Sequence, residues 1–327
     1  MSGHGPFDHV KDSSVFEFPE FVSGVFGDHI LHLPKVDLPV LGTVQITKFM
    51  VLQLVAAILT IVIFRGLASH IRGGRPARGI WWNFWEAIAL FVRDNVVRPS
   101  IGIPHHHDHD DHDHGDHSHG HVAHDHAEHG HAVHSHVAPL KGAAAVDVSH
   151  PADKYLPYVW SVFFYILFCN LLGALPFLGS ATADTGVTGV LAVVTFLYVV
   201  RCGSAQSGFV GFWKSLVPQM DLPGPLGYVL LPMLWVIEVV GLLIKHAVLA
   251  IRLFANMLGG HTVISVFLLF ILQSAEYGDG SLWWLVAPAS TIGQLAIGLL
   301  ELFVAFLQAY VFSLLTSLFI SMAVNPH

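Results

Sequence analysis

The chain has 327 residues, of which 54% are hydrophobic and only 12% are charged, and its formal net charge is −8. A soluble globular domain typically carries about a quarter charged residues, so this composition excludes an ordinary soluble protein and predicts an all-α polytopic membrane protein. The two cysteines have neither a metal-binding spacing nor the pattern of a disulfide framework. The sequence contains no glycine-rich phosphate-binding motif, so we expect no nucleotide site and no cofactor in this chain.

Residues 1–44 are predicted to form an N-terminal extramembrane arm, whose aromatic residues favour packing on another surface. The apolar stretch from Met50 to Ala68 is long enough to cross a bilayer. Four arginines follow or end this span, and the positive-inside rule therefore predicts a cytoplasmic end here and an N-terminus outside. These are Arg65, Arg72, Arg75 and Arg78.

The rest of residues 45–104 is predicted to hold one helix that does not cross the membrane. The stretch from Gly79 to Val97 interleaves tryptophans with Glu86, Arg93 and Asp94. It is too short and too charged to span, so the pattern predicts an amphipathic helix at the membrane interface.

Residues 105–150 form a low-complexity insertion, and residues 105–136 alone contain fifteen histidines interleaved with acidic residues. The insertion has no apolar periodicity, so we expect it to be disordered, and the first span predicts that it is cytoplasmic. Imidazole suits zinc, nickel and copper, but no firm metal site is predicted. Weak binding is expected at the start of the insertion, by His105, His106, His107, His109, His112 and His114. The alternative is a solvated insertion whose metal affinity is incidental.

Residues 151–327 are predicted to form the main membrane domain. The second span runs from Tyr155 to Phe177, and the third comprises Val190 to Val200 with its flanks. An apolar tract from Leu231 to Leu272 and an unusually long last span, from about Leu285 to Met322, complete about five spans.

A row of polar residues follows one side of the helix predicted from Leu231 onward. Glu238, Lys245 and Arg252 are seven residues apart, which is nearly two turns, and Asn256 continues the row. Ionisable groups at membrane depth are costly and tend to face a protein interior or a watery cavity, so the row predicts an ion path. The alternative is that the charges pair with neighbouring helices and only hold a bundle together. The adjacent pair of Gly259 and Gly260 predicts that the helix ends or loosens there.

The last span carries a second row, in which Gln294, Glu301 and Gln308 are again seven residues apart. Gly298 and Ala305 lie on nearly the same face, where small residues allow close helix approach or leave room for water or a partner chain. Ordinary small-residue packing with polar contacts is the alternative. It does not account for heptad-spaced polar rows on two separate helices.

Arg252 has the most specific chemistry in these rows. Its guanidinium retains its proton, and an opposite charge within about 4–6 Å favours an ionised carboxylate. Arg252 would therefore draw the proton from an incoming carboxyl group, release the carboxylate when it is reprotonated elsewhere, and block direct proton leakage. Glu238, His261 and Glu301 are candidate relay groups, and histidine suits this role because it titrates near neutrality.

The segment RLFANMLGGH at residues 252–261, with a glutamate fourteen residues before the arginine, resembles the a subunit of F-type ATP synthases, also called ATPase subunit 6. The resemblance extends from the first span onward and includes LLELFVAFLQAYVFSLLTSLFISMA near the C-terminus. It implies that Arg252 faces the carboxylate of a rotating c-ring, and that a long tilted C-terminal hairpin wraps that ring. His261 and Glu301 would line an outer aqueous half-channel, and Glu238 an inner one. Asn256 and Gln308 would be further polar positions of the proton path.

The resemblance implies the proton-channel stator subunit of the F0 sector, which couples proton flow to ring rotation and ATP synthesis without an active site for ATP in this chain. The implied partners are the c-ring proteolipids, the b subunits of the peripheral stalk, other F0F1 subunits and the lipid bilayer, with no nucleic acid. The implied location is a bacterial inner membrane. The chain departs from the family in its His-rich insertion, in His246, where many relatives have proline, and in Gly173, where relatives can have aspartate.

Two other functions compete with this one. A divalent-metal transporter for zinc or nickel would explain the His-rich loop, but it needs a ligand cluster within its spans. No aspartate lies inside a proposed span, and His261 and Glu301 alone make a poor metal site. An inert assembly scaffold would leave the two polar rows unexplained.

Overall fold

The computed structural model describes residues 13, 15–17, 30–38, 42–71, 79–101, 151–175, 179–216, 226–276 and 283–324. The predicted disordered insertion at 105–150, with its six candidate metal-binding histidines, lies outside these residues. Three of the four arginines that follow the first span also lie outside them.

Five of the described helices are long and apolar enough to cross a membrane, which confirms the predicted all-α polytopic membrane fold. In chain order the helices are α1 (Lys48–Ile71), α2 (Ile80–Val92), α3 (Arg98–Ile101), α4 (Leu156–Gly173), α5 (Thr185–Ser207), α6 (Phe209–Ser215), α7 (Leu226–Glu276) and α8 (Trp283–Val324). A π-helical turn, Arg93–Val97, joins α2 to α3, and 3₁₀ turns occupy Pro151–Lys154 and Ala181–Ala183.

The N-terminal arm adds four short strands to this helical fold. Strand β1 (Val15–Glu17) pairs antiparallel with β2 (Ile30–His32), and β3 (Lys35–Leu38) pairs antiparallel with β4 (Gly42–Gln45). Leu33, between the two sheets, packs beside a small apolar cluster that is formed by Phe49, Leu52 and Ala181. The backbone N–H of Lys48 donates to the carbonyl of Ser13 across 2.8 Å. The arm therefore attaches to the first turn of α1, beside the 3₁₀ turn at 181–183.

Helix α4 forms the centre of the bundle, since more of it is buried than of any other candidate span. Its residues Phe163, Phe164 and Ile166 are almost completely buried. The helix predicted at Gly79–Val97 packs against α4 through Trp85, whose ring lies 5.5 Å from that of Phe168. Its first turn instead exposes large apolar side chains, namely Ile80, Trp81 and Phe84. This one-sided burial matches the amphipathic pattern that the sequence predicts, although α2, α3 and the π turn form one longer helical segment.

Helix α6 folds back onto the end of α5 because two glycines allow it. Gly208 joins the two helices with φ of 73°, in the left-handed region that favours glycine. Gly203 in α5 lies directly under the ring of Phe212, and a Cβ at this position would overlap that ring. The same Cβ would lie 3.0 Å from the carbonyl oxygen of Ala323 in α8. Gly203 therefore allows α5, α6 and α8 to pack closely at this point.

The last two helices are much longer than a bilayer requires. At 1.5 Å per residue, α7 with 51 residues is about 77 Å long and α8 with 42 residues is about 63 Å long. The hydrocarbon core is about 30 Å thick, so each of these helices is more than twice as long as a perpendicular span needs. They pack antiparallel, since Asn256, His261 and Phe267 of α7 meet residues of decreasing number in α8: Gln308, Glu301 and Gly293.

The prediction that Gly259 and Gly260 end or loosen α7 is wrong, because the helix continues without a break to Glu276. A glycine inside a helix costs about 1 kcal/mol relative to alanine, which is small beside the packing of such a long helix pair. Gly260 has a packing reason of its own, which is described with the site below.

We expect Gly203→Ala to destabilise the subunit, because its added methyl group would overlap Phe212 and crowd Ala323. Overpacking of this kind typically costs about 1–3 kcal/mol. The matched control is Gly189→Ala in the same helix, where a Cβ meets nothing within 4 Å. The measurement is the amount of each variant in isolated membranes and the apparent Tm of the purified assembly. Equal values for the two variants would contradict the packing assigned to Gly203.

Candidate functional site

The two predicted polar rows meet at the interface between α7 and α8. The Asn256 side-chain amide donates to Oε1 of Gln308 across 2.9 Å, with Asn256 half-buried and Gln308 fully buried. An interhelical hydrogen bond of this kind contributes about 0.6–2 kcal/mol within a membrane. It therefore fixes the register of α7 against α8 at one point near the middle of both helices.

His261 and Glu301 form the second polar contact between these helices. Nε2 of His261 lies 3.8 Å from Oε1 of Glu301, slightly too far for a direct hydrogen bond. The glutamate is only 4% exposed, and neither of these two atoms has a hydrogen-bond partner within the described part of the chain. Nε2 of Gln294, seven residues before Glu301, is also buried and has no hydrogen-bond partner among the described residues. Buried polar atoms are normally satisfied by protein or by ordered water, so this region is suited to a hydrated path.

Gly260 brings α7 close to the Glu301 carboxyl group. A Cβ on Gly260 would lie 2.9 Å from Oε1 of Glu301 and 3.0 Å from its Cδ. Any larger residue would have to displace the carboxyl group from its position beside His261. In the sequence, Gly260 directly precedes His261, and this adjacency could have indicated that the glycine belongs to the site. Two consecutive glycines in a helical stretch more readily predict a helix end.

A polar cluster around Asn170, which sequence reasoning did not assign to the site, supports α8 from the other side. Asn170 is fully buried; its side-chain amide donates to the Ala305 carbonyl across 3.3 Å and its oxygen accepts from Thr182 Oγ1 at 2.9 Å. The Ser180 hydroxyl lies 2.9 Å from that of Thr182. The cluster therefore holds α8 between Glu301 and Gln308.

The 3₁₀ turn Ala181–Ala183 is buried between α4 and the α7–α8 pair and does not lie on the surface. Ala183 packs in one cluster with Met257 and Ala305. Gly173 lets the turn approach α4, since a Cβ there would lie 2.7 Å from that of Ser180. At Gly173 the chain therefore uses close packing between α4 and the turn.

Glu238 and Lys245 lie together at the opposite end of the hairpin. Both line a cavity of about 260 Å³ with Phe212, Phe319 and other residues of α5, α6 and α8. Glu238 is 23 residues before His261, so the two polar regions are about 35 Å apart along α7. Arg252 lies between them along the helix.

Arg252 points away from the bundle. It is exposed, and the apolar side chains of Val248 and Ile251 beside it are exposed as well. Leu253 and Met257, on the other side of the helix, are almost completely buried. Among the described residues, Arg252 makes no ion pair and no hydrogen bond through its side chain. The predicted row thus separates into a cavity-lining pair at Glu238 and Lys245, an outward-facing Arg252, and Asn256 bonded to α8.

His246 is packed as a core residue on the side of α7 that faces α5 and α8. Its side chain is 2% exposed, its Nδ1 lies 2.9 Å from the Leu242 carbonyl, and its ring lies 4.6 Å from that of Phe319. His246 does not line the cavity that contains Glu238. His246 therefore belongs to the packing behind the cavity and not to its lining.

Within the described ranges, no three residues of His, Cys, Asp or Glu come together as a metal site. Cys169 and Cys202 are free and buried. The described helices thus hold no ligand cluster of the kind that a zinc or nickel transporter needs.

Comparisons with known proteins agree with the geometry. The family model described as ATP synthase A chain matches residues 135–321. ATP synthase subunit a of Chloroherpeton thalassium is 29% identical over 323 residues, which cover 97% of this chain and 75% of that protein. The subunit a of Pelodictyon phaeoclathratiforme is 31% identical over 325 residues, covering 96% and 74% respectively. That of Rhizobium rhizogenes is 39% identical over 173 residues, covering 53% and 66%. A family match over more than half of the sequence, with similarity along nearly its whole length, shows that the chain belongs to the ATP synthase A chain family.

Proposed function

We propose that this chain is the proton-channel stator subunit of an F-type ATP synthase, in which Arg252 meets the carboxylate of a rotating c-ring. Family membership supports a general stator role in the F0 sector, with other ATP synthase subunits as partners. The observation that carries the finer proposal is the outward-facing, unpaired guanidinium of Arg252, near the midpoint of a 51-residue apolar helix.

The position of Arg252 calls for a partner beyond the described residues. A charge at membrane depth is expensive unless it faces water or an opposite charge. The surface around Arg252 is apolar, with exposed side chains such as Ile244, Val248 and Ile251, and this composition fits a neighbouring apolar helix better than water. A carboxylate carried at mid-membrane by a c-ring helix would neutralise the guanidinium. It would remain ionised only while it lies beside Arg252.

His261, Glu301 and Gln294 are suited to the outer half-channel. A carboxyl group and an imidazole separated by 3.8 Å can hold and pass one proton between them. Each of the three has a buried polar atom with no hydrogen-bond partner among the described residues, and bridging water would link these atoms into a path toward the ring. Asn256 and Gln308 lie between this region and Arg252 and hold the two helices in register.

The inner half-channel is proposed to begin at the cavity that Glu238 and Lys245 line. Between this cavity and His261, the bundle-facing side of α7 presents buried apolar residues, including Leu249 and Leu253. This apolar stretch of α7 supports a two-part path, since the buried hydroxyl groups of Thr316 and Ser317 in the facing helix α8 donate to carbonyls of their own helix. Transfer on a rotating ring carboxyl group would bridge the gap and couple proton flow to ATP synthesis.

The remaining assignments are also part of this proposal. The N-terminal arm, 1–44, would lie outside the cell membrane and the insertion, 105–150, in the cytoplasm of a bacterial cell, by the positive-inside rule. Residues 45–104 would form the first span with its interfacial helix, and 151–327 the proton-channel domain. The b subunits of the peripheral stalk would hold the chain stationary against the ring. Metal transport is not favoured, since the family match is to ATP synthase and the described helices hold no ligand cluster.

We expect Arg252→Ala to abolish ATP synthesis while passive proton leak persists, because ring carboxyl groups could then exchange protons with both half-channels without rotation. Arg252→Lys should also fail, since a desolvated ammonium can lose its proton and lacks the planar guanidinium fork. The paired measurement is ATP synthesis and passive proton permeability in membrane vesicles, with assembly checked by blotting. Appreciable ATP synthesis by a normally assembled Arg252→Ala variant would show that the residue has been assigned wrongly.

We expect His261 and Glu301 to be partly exchangeable, because a shared proton path needs one acid and one imidazole but not a fixed order. His261→Ala or Glu301→Ala alone should reduce proton flux at least about tenfold, in line with the loss of one general acid–base group. The double variant, His261→Glu with Glu301→His, should recover more flux than either single exchange. A double variant no better than the worse single exchange would mean that the two do not act as a pair.

We expect Gly260→Ala to slow proton flux by moving the Glu301 carboxyl group, which a Cβ would approach to 2.9 Å. The matched control is Gly298→Ala in α8, where a Cβ meets nothing within 4 Å. Proton uptake into vesicles, normalised to the amount of assembled complex, separates the two variants. Normal uptake with Gly260→Ala would show that the position of Glu301 is not constrained by this contact.

A further inference from the structure

A cavity with two cations lies at the corner where the turn before α4 meets the end of α5. Lys154, Tyr155, Tyr198, Arg201 and Gln206 line it, and its volume is about 410 Å³. It is separate from the cavity that contains Glu238 and takes no part in the proton path proposed above. Its polar lining groups are an ammonium, a guanidinium, two phenols, an amide and the thiol of Cys202, so the cavity offers hydrogen-bond donors and no carboxylate.

The two cations are not neutralised by the described part of the chain. Lys154 and Arg201 are exposed and form no ion pair there; the Lys154 ammonium lies over the ring of Tyr155, 4.7 Å from its centroid. The acidic residue next to Lys154 is Asp153, which already pairs with Arg98 at 3.0 Å and 3.2 Å through two nitrogens. The cavity therefore has two positive charges with no counter-charge among the described residues.

The wall that carries these cations is rigid. The rings of Tyr158 and Tyr198 stack with centroids 3.6 Å apart, and the Tyr158 hydroxyl donates to Thr195 Oγ1 at 3.3 Å. Tyr155 is only 6% exposed, and its backbone N–H donates to the Ala152 carbonyl across 3.0 Å. Little side-chain order is lost on binding when aromatic groups are already held in place.

The surroundings of the cavity favour an anionic lipid over a soluble anion. Arg201 lies near the end of α5, and on the same face of that helix Val194 and Leu197 are exposed apolar side chains. Tyrosines at the ends of spans are typical of the headgroup level of a membrane, and basic pockets between membrane helices bind acidic headgroups. A soluble anion would use only the cations. A lipid would use the cations for its phosphate and the apolar stripe for its acyl chains.

We propose that this cavity binds the headgroup phosphate of an anionic phospholipid, with Lys154 and Arg201 on the phosphate and acyl chains along Val194 and Leu197. Each cation close to an anionic lipid surface contributes about fivefold to affinity. Loss of both cations should therefore remove most of the preference for an anionic over a zwitterionic lipid.

The experiment uses the intact ATP synthase complex with a fluorophore on the Ala205→Cys variant, because Ala205 lines the cavity and is exposed. The complex is reconstituted with brominated phosphatidylglycerol or brominated phosphatidylcholine, and the two quenching curves give their relative affinities at this position. The test variant adds Lys154→Gln and Arg201→Gln. The control adds Arg65→Gln and Lys214→Gln, two exposed cations that do not line the cavity.

We expect brominated phosphatidylglycerol to quench the fluorophore at a several-fold lower mole fraction than brominated phosphatidylcholine. The control variant should keep this preference and the test variant should lose it. Equal quenching by the two lipids, or an undiminished preference in the test variant, would overturn the proposal. Reversal of the preference by millimolar inorganic phosphate would identify a site for soluble anions and would also overturn it. A preference that arises only after deletion of residues 105–136 would show that the acidic insertion occupies the cavity, and would overturn the assignment to lipid.

Discussion

The buried polar contact between α7 and α8 is the constraint on which the rest of the membrane domain depends. In hydrocarbon, a polar side chain without a partner is costly, so two long apolar helices that carry heptad-spaced polar residues are driven to align those residues. The hydrogen bond from Asn256 to Gln308 fixes one such alignment. A shift of the helices by one turn would separate this pair and also move His261 away from Glu301. One register therefore positions both polar contacts at once.

That register also leaves Arg252 without a partner among the described residues. With Asn256 turned toward α8, Arg252 one turn earlier is left on the exposed side of α7 among apolar residues. The same geometry buries Leu249 and Leu253 on the inner side of α7, between the cavity of Glu238 and the pair of His261 and Glu301. A fixed cation and an apolar barrier are thus two consequences of one helix orientation. Together they are the basis for our proposal that protons pass by way of a partner and not through a continuous pore.

Small residues at two levels allow the polar groups to approach each other. Gly260 lets the Glu301 carboxyl group lie against the backbone of α7, and Gly173 lets the turn at 181–183 enter the bundle beside α4. Through Thr182, that turn reaches Asn170, which in turn holds the Ala305 carbonyl of α8. Residues far apart in sequence therefore keep α8 in place between Glu301 and Gln308. The contacts of Asn170, Thr182 and Ala305 involve no charged group, so they add rigidity without adding alternative proton acceptors.

The sequence by itself determined the class of the protein and the identity of the polar rows. Hydropathy over about 20 residues is a local property, and so is a seven-residue spacing, which is why five spans, the amphipathic helix at 79–97 and the spacing of Glu301 and Gln308 could be predicted. The tertiary structure decided which side of each helix is buried. Spacing alone could not show that Arg252 faces outward while Asn256 faces α8, because both positions fit one stripe. Nor could it show that Gly260 continues a helix, since the compensating contact is with Glu301, 41 residues away. Long-range packing outweighs a local preference of about 1 kcal/mol, and only the folded bundle contains that packing.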